Sequence, residues 1–65
     1  MKNKPLSPGP YLSPRQVAEL LGVSVKTVSR RIADGEIRAS RIGRLLRIEA
    51  AEVPRYVDRN AIHAE

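Results

Sequence analysis

The sequence predicts a mainly α-helical fold with a small β-hairpin wing, and three observations lead to that expectation. Apolar residues recur at i, i+3 and i+4 in Val17, Leu20 and Leu21 and again in Val53, Tyr56 and Val57, while Val28 and Ile32 form a stripe at i, i+4. Gly22 stands between the first two stripes, four residues after Ala18 and six before Val28. Ile37 to Ile42 and Leu45 to Ile48 read as two short strands joined at Gly43-Arg44, which is a hairpin signal. The spacing around the glycine is that of a helix-turn-helix. Ala18 is small where one helix presses on the next, Gly22 tolerates the positive φ of a tight turn, and Val17, Leu21, Val23 and Val28 supply the apolar contacts that lock the pair. With the hairpin added, the expected architecture is a winged helix-turn-helix.

Each element has its own local reasons. Residues 1–10 contain Pro5, Pro8, Gly9 and Pro10 and are expected to form a disordered or extended arm. The domain proper is placed at 11–59, and 60–65 is expected to be a frayed tail. Tyr11-Leu12 packs on the core as a short strand or an apolar lead-in. Ser13 caps the first helix, Pro14 takes its first position and Gln16 completes a capping box. Ser24 caps the second helix, which runs from about Val25 to Asp34 and stops at Gly35. Its inward residues are Val28 and Ile32, and its outward face carries Val25, Lys26, Ser29, Arg30 and Ala33. The third helix must start near Ala51 to Val53, because Pro54 is tolerated only in a first turn.

Composition narrows the function. A chain of 65 residues makes one domain with little core, burying only about 60% of its unfolded surface. Cys, Trp and Phe are absent, and His63, the one histidine, reads as an ordinary surface residue. Neither a disulfide nor a metal site is therefore expected, and no cofactor. Paired carboxylates and Cys-His arrangements are also lacking, so no enzymatic activity is expected. Apolar runs fall far short of the roughly 20 residues that span a bilayer, and Lys2 and Lys4 have no apolar stretch behind them to make a signal peptide. No membrane partner is expected, and the location expected is cytoplasmic.

Charge is informative by its placement. From Ser24 to Arg47 lie Lys26, Arg30, Arg31, Arg38, Arg41, Arg44 and Arg47 against Asp34 and Glu36, an excess of five that equals the net +5 of the whole chain. A concentrated basic surface on a small domain favours a polyanion, with double-stranded DNA the default partner. Single-stranded RNA readers need aromatic stacking platforms, and two tyrosines do not provide them.

A helix in a major groove offers only its outer face. Arg30 is the best base reader, because a guanidinium pairs bidentately with guanine O6 and N7. Lys26 reaches a guanine or a phosphate, Val25 meets a thymine methyl, and Ser24 and Ser29 allow close approach. Ser24 serves equally as a helix cap, and Thr27 flanks the face to bond backbone or phosphate. Arg31 either packs its stem while its head reaches a phosphate, or is a plain surface charge beside Ile32. On the hairpin, Gly43 lets the tip turn, Arg44 projects from it, and Arg41 and Arg47 flank it, making a wing suited to the backbone or the minor groove. Solvation is the alternative for these arginines, and more so for Arg38.

The stretch Tyr11 to Val57, 47 of 65 residues, resembles the excisionase-type winged helix-turn-helix family, which is related to the DNA-binding heads of MerR-like regulators and to AlpA-like prophage regulators. The resemblance rests on "VAELLGVSVKTV" across the turn, "DGEI" at the helix exit, "RIGR" in the wing and "RI" before the last helix. It implies that the second helix enters the major groove while the wing meets the adjacent minor groove or backbone. By position it implicates Val25, Lys26, Ser29 and Arg30, with Arg41, Gly43 and Arg44 in the wing. Three positions depart from the family's habit. Leu46 replaces a common aromatic and is expected to fill the same core position, Leu45 replaces a frequent arginine and leaves an apolar residue exposed, and Arg31 replaces a frequent leucine.

The resemblance implies one of two roles. An excisionase binds adjacent repeats at an attachment site, bends the DNA and steers an integrase toward excision, whereas a prophage-type regulator controls a promoter. MerR-like regulators dimerise through a long C-terminal coiled coil, and no such segment follows Val57, which favours the excisionase role. The partners expected are double-stranded DNA, an integrase and neighbouring copies of the chain on DNA. In free solution a monomer is expected, inside a bacterial host cell and associated with the nucleoid when bound.

Overall fold

The computed structural model describes residues 10–62, so residues 1–9 of the expected arm and 63–65 of the expected tail lie outside it. Six elements follow in order: β1 Tyr11–Leu12, α1 Pro14–Leu21, α2 Val25–Ala33, β2 Ser40–Ile42, β3 Leu45–Glu49 and α3 Glu52–Arg59. Three antiparallel strands form one sheet in the order β1-β3-β2. β1 is a strand rather than a lead-in, pairing Tyr11 with Glu49 and Leu12 with Ile48, and the Pro10 carbonyl extends the ladder by accepting from Ala50 N at 2.7 Å.

The local signals act as the residue types require. Ser13 Oγ accepts from Gln16 N at 3.1 Å while Gln16 Oε1 accepts from Ser13 N at 2.8 Å, which closes the capping box of α1. Gly22 ends α1 at φ +71°, and its N–H and that of Val23 donate to Glu19 O at 3.3 Å and Ala18 O at 3.0 Å. These are the two closing bonds of a left-handed helix terminus, and they satisfy carbonyls left free by the last turn. The same pair of bonds recurs after α2, from Gly35 to Ile32 and from Glu36 to Arg31. Pro54 occupies the third position of α3, within the turn whose N–H groups have no helical acceptor.

Leu12, Val17, Ala18, Val28, Ile37 and Ile48 form the core, with Leu21, Ile32, Ala39, Ala50, Val53 and Tyr56 packed against it. Each fully buried Val, Leu or Ile contributes roughly 1.5–3 kcal/mol, so these few residues hold most of the fold's cohesion.

Several sequence expectations are corrected. Leu20 is 65% exposed, because Val17, Leu21 and Ala18 span the arc of α1 that faces the core and Leu20 lies beyond its edge. Val23 is 40% exposed and closes the turn through its backbone N–H rather than its side chain. Val57, half-exposed, lies at the rim of α3, where Val53 and Tyr56 make the inward contacts. Ile37 to Ala39 is not strand: Ile37 is tied by its N–H to Arg31 O at 3.1 Å and plugs the core, so β2 begins only at Ser40. Leu46 is only half-buried and stands outside the core, on the part of β3 nearer the exposed hairpin tip.

Candidate nucleic-acid interface

Ser24 opens α2 as a side-chain cap, accepting from Thr27 N at 3.1 Å, and its hydroxyl lies 3.0 Å from that of Thr27. Both hydroxyls are therefore engaged locally, on an exposed helix N-terminus with no acidic residue in its first turn. That end carries the positive pole of the helix dipole, which favours a nearby anion. Beyond it Val25, Lys26, Ser29, Arg30 and Ala33 are all exposed, one continuous face opposite buried Val28. Lys26 and Arg30, four residues apart, are neighbours on that face.

The hairpin is a two-residue connection: Ile42 pairs with Leu45, and Gly43 turns at φ +63° with Arg44 beside it at the tip. Register then sorts the wing arginines. Arg41 pairs with Leu46 and shares the sheet face of Leu12 and Ile48, the face that packs on the helices. Arg47 pairs with Ser40 on the opposite face, half-buried, and donates from Nη1 to Leu46 O at 2.8 Å. There it lines a shallow cleft with Tyr11, Arg38 and Arg55, apart from the outward face of α2. Leu45 is 53% exposed, as its position at the tip implies, and Ile42 beside it is equally exposed.

Ion pairing divides the cations further. Arg31 donates from Nη2 to Asp34 Oδ2 at 2.8 Å, and its buried Nε has no partner. Its side chain, about a third exposed, lines a largely apolar groove with Ile37 and Tyr56. Arg55 reaches Glu49 at 3.4 Å and Glu52 at 3.8 Å, and Arg59 pairs with Glu52 at 2.8 Å. Among the described residues, the cationic groups of Arg15, Lys26, Arg30, Arg38, Arg41, Arg44 and Arg47 have no carboxylate partner, and of these Lys26, Arg30, Arg41 and Arg44 lie on α2 and the wing outside the cleft of Arg47.

Glu52 was not singled out by the sequence. It is 2% exposed, and its Oε2 accepts from Arg38 N at 3.1 Å and from Arg59 Nη2 at 2.8 Å. Burial acts to raise its pKa, but the hydrogen bonds from Arg59 and the Arg38 amide, with the charges of Arg59 and Arg55, outweigh burial and hold it below its ordinary value. The signal that could have found it is Glu52, Arg55 and Arg59 at i, i+3 and i+7, one acidic and two basic residues on a single helix face.

A helix pair closed by a left-handed glycine, with an unpaired basic face on its second helix and a basic hairpin beside it, defines the winged helix-turn-helix class of DNA-binding proteins. Comparison with known proteins narrows the class. A family model described as a helix-turn-helix domain matches residues 11–61, and an excisionase from Mycobacterium phage D29 is 55% identical over 40 residues, covering 60% of this chain and 71% of that protein. The chain belongs to the excisionase-type helix-turn-helix family. Among the described residues no helix is long and apolar enough to cross a membrane, and no group of side chains is arranged to hold a metal ion.

Proposed function

We propose that this protein is a recombination directionality factor. It binds repeated sequences at an attachment site, loads cooperatively on adjacent repeats, bends the duplex and directs an integrase toward excision. Its likeness to a phage excisionase carries this reading, and the exposed face of Lys26, Ser29 and Arg30 supplies a chemistry suited to it. In this reading α2 lies in the major groove, with Arg30 on a guanine, Lys26 on a guanine or phosphate and Val25 against a thymine methyl. Ser24, Thr27 and Ser29 line the approach to the backbone. Arg41, Gly43 and Arg44 follow the adjacent minor groove or phosphates, whereas Arg31 is held by Asp34 and Arg47 faces the other side of the sheet, so neither is counted among the contacts.

A single recognition helix covers few base pairs, too few to select a site among the ~10⁶ or more competitors in a genome. Cooperation between copies supplies the missing discrimination. Head-to-tail copies require direct repeats, whereas a symmetric dimer requires an inverted one. The test joins nuclease footprinting on attachment-site DNA, sedimentation, and an excision assay with and without an added phage integrase. The expected result is a micromolar monomer that protects direct repeats and raises excision only when integrase is present. A stable dimer protecting one palindrome, with no effect on excision, would replace this reading with that of a promoter-binding regulator.

A further inference from the structure

We infer that Glu52 is the residue that positions the wing relative to α2, acting through the segment Asp34 to Ala39 that joins them. This rests on the proposal that the wing touches DNA. Three observations support it. The wing has few anchors of its own: β2 is a three-residue edge strand, exposed throughout and paired only with β3. The joining segment is tied to α2 at one end, where Glu36 N and Ile37 N both donate to Arg31 O at 2.9 and 3.1 Å. At its other end it is tied to α3 by one buried carboxylate and one arginine. Glu52 Oε2 accepts from the Arg38 amide, and Arg59 Nη2 donates both to that oxygen and to Glu36 O at 2.7 Å.

Residues 36 and 38, on either side of buried Ile37, are thus held by the same ion pair, two residues before β2 begins. A carboxylate this buried is costly unless fully partnered, and here its partners are the backbone leading into the wing. A simpler core would need only an apolar residue at this position. The charge gives direction: the carboxylate accepts only from donors aimed at it, which fixes where the Arg38 amide points and therefore the line along which β2 leaves the core. Glu52 touches no nucleic acid in this arrangement and acts only on the angle between the two contact elements.

The experiment is a double-mutant cycle in the full chain. Glu52→Gln keeps the size but gives up the charge that holds Arg59, and its NH2 donor competes with its oxygen for the place facing the Arg38 amide. Duplex affinity is measured for Arg30→Ala and Arg44→Ala in the wild-type and Glu52→Gln backgrounds, and amide chemical shifts are recorded for each. Arg44→Ala is expected to lose several-fold affinity in the wild type and much less in Glu52→Gln, while the Arg30→Ala loss stays the same in both. Shift changes should extend from Arg38 through residues 40–47 and spare residues 14–30. Equal Arg44→Ala losses in both backgrounds, or shifts confined to α3, overturn the inference. Loss of folding alone would weaken binding without altering either ratio, and Arg59→Gln, cutting the same tie from the other side, must reproduce the pattern if Glu52→Gln does not fold. If Arg44→Ala costs nothing in the wild type, the wing contact itself falls and the inference with it, while an unchanged Arg30→Ala loss leaves the α2 reading standing.

Discussion

Arg30 and Arg44 carry the same charge on different kinds of scaffold, and this sets what each can read. Arg30 projects from the last turn of α2, in reach of base edges when that helix lies in a groove. Replacing it with alanine is expected to cost roughly 1–3 kcal/mol on the specific duplex and much less on random DNA. Arg44 sits at the tip of a two-residue turn, where it follows backbone and groove shape, so Arg44→Ala should weaken binding to both duplexes alike. Parallel titrations of specific and random duplexes check the division, and equal ratios for the two variants would refute it. Glu52 makes a separate expectation for acid stability. Its folded pKa lies below the ordinary 4.5, so the stability it contributes is present above about that pH and is lost as pH falls through the lowered folded value. Melting temperature against pH should therefore fall less steeply below pH 4.5 in Glu52→Gln than in the wild type. Identical slopes would show that its ion pair contributes nothing to folding.

At the scale of elements, short helices depend on their ends. α1 and α2 have eight and nine residues, too few to be stable in isolation, and each is closed by capping at its start and by a left-handed glycine at or just past its end. A Cβ built on Gly22 meets no heavy atom within 4 Å, so the cost of a side chain there is backbone strain alone. Gly22→Val is expected to destabilise the fold by about 1–2 kcal/mol, and Gly22→Asn by less, since asparagine enters the left-handed region more readily. Thermal melts should rank wild type above Gly22→Asn above Gly22→Val, with DNA affinity of the folded fraction unchanged. A Gly22→Val variant that melts like the wild type yet fails to bind would move Gly22 from the turn to the interface.

For the whole molecule, the useful quantity is the set of cations left without an internal partner. Among the described residues, Arg31, Arg55 and Arg59 are engaged in ion pairs, Arg38 and Arg47 lie along the other sheet face, and Arg15 stands on α1, outside α2 and the wing, which leaves Lys26, Arg30, Arg41 and Arg44 for one duplex. Each neutralised phosphate contributes about −0.9 to the slope of log affinity against log salt, so a slope of roughly −4 is expected for a single bound copy. Titrations from low to moderate salt measure it. A flat dependence would remove the electrostatic argument, and a slope well beyond that would bring Arg38 and Arg47 back into contact with DNA.

Local chemistry was enough to determine the helix-turn-helix. Ser13 with Gln16, Ser24, Gly22 and Gly35 act within a few residues of themselves, so the sequence determined both helices, their caps and the turn between them. The hairpin turn and Pro54 in the first turn of α3 were legible for the same reason. Of the candidate interface, the outward face of α2 was readable because helical periodicity dictates it once Val28 is buried. What only the tertiary structure decided involves residues far apart in the chain. Pairing with Ser40 places Arg47 on a different sheet face from Arg41, the plugging of the core by Ile37 shortens β2, and the packing of α1 sets the arc that faces the core, beyond whose edge Leu20 lies. Glu52 is the extreme case. Its partners lie 14 residues before it and 7 after, and no local rule brings a carboxylate to a backbone amide that far away; only the packing of α3 across the joining segment does so.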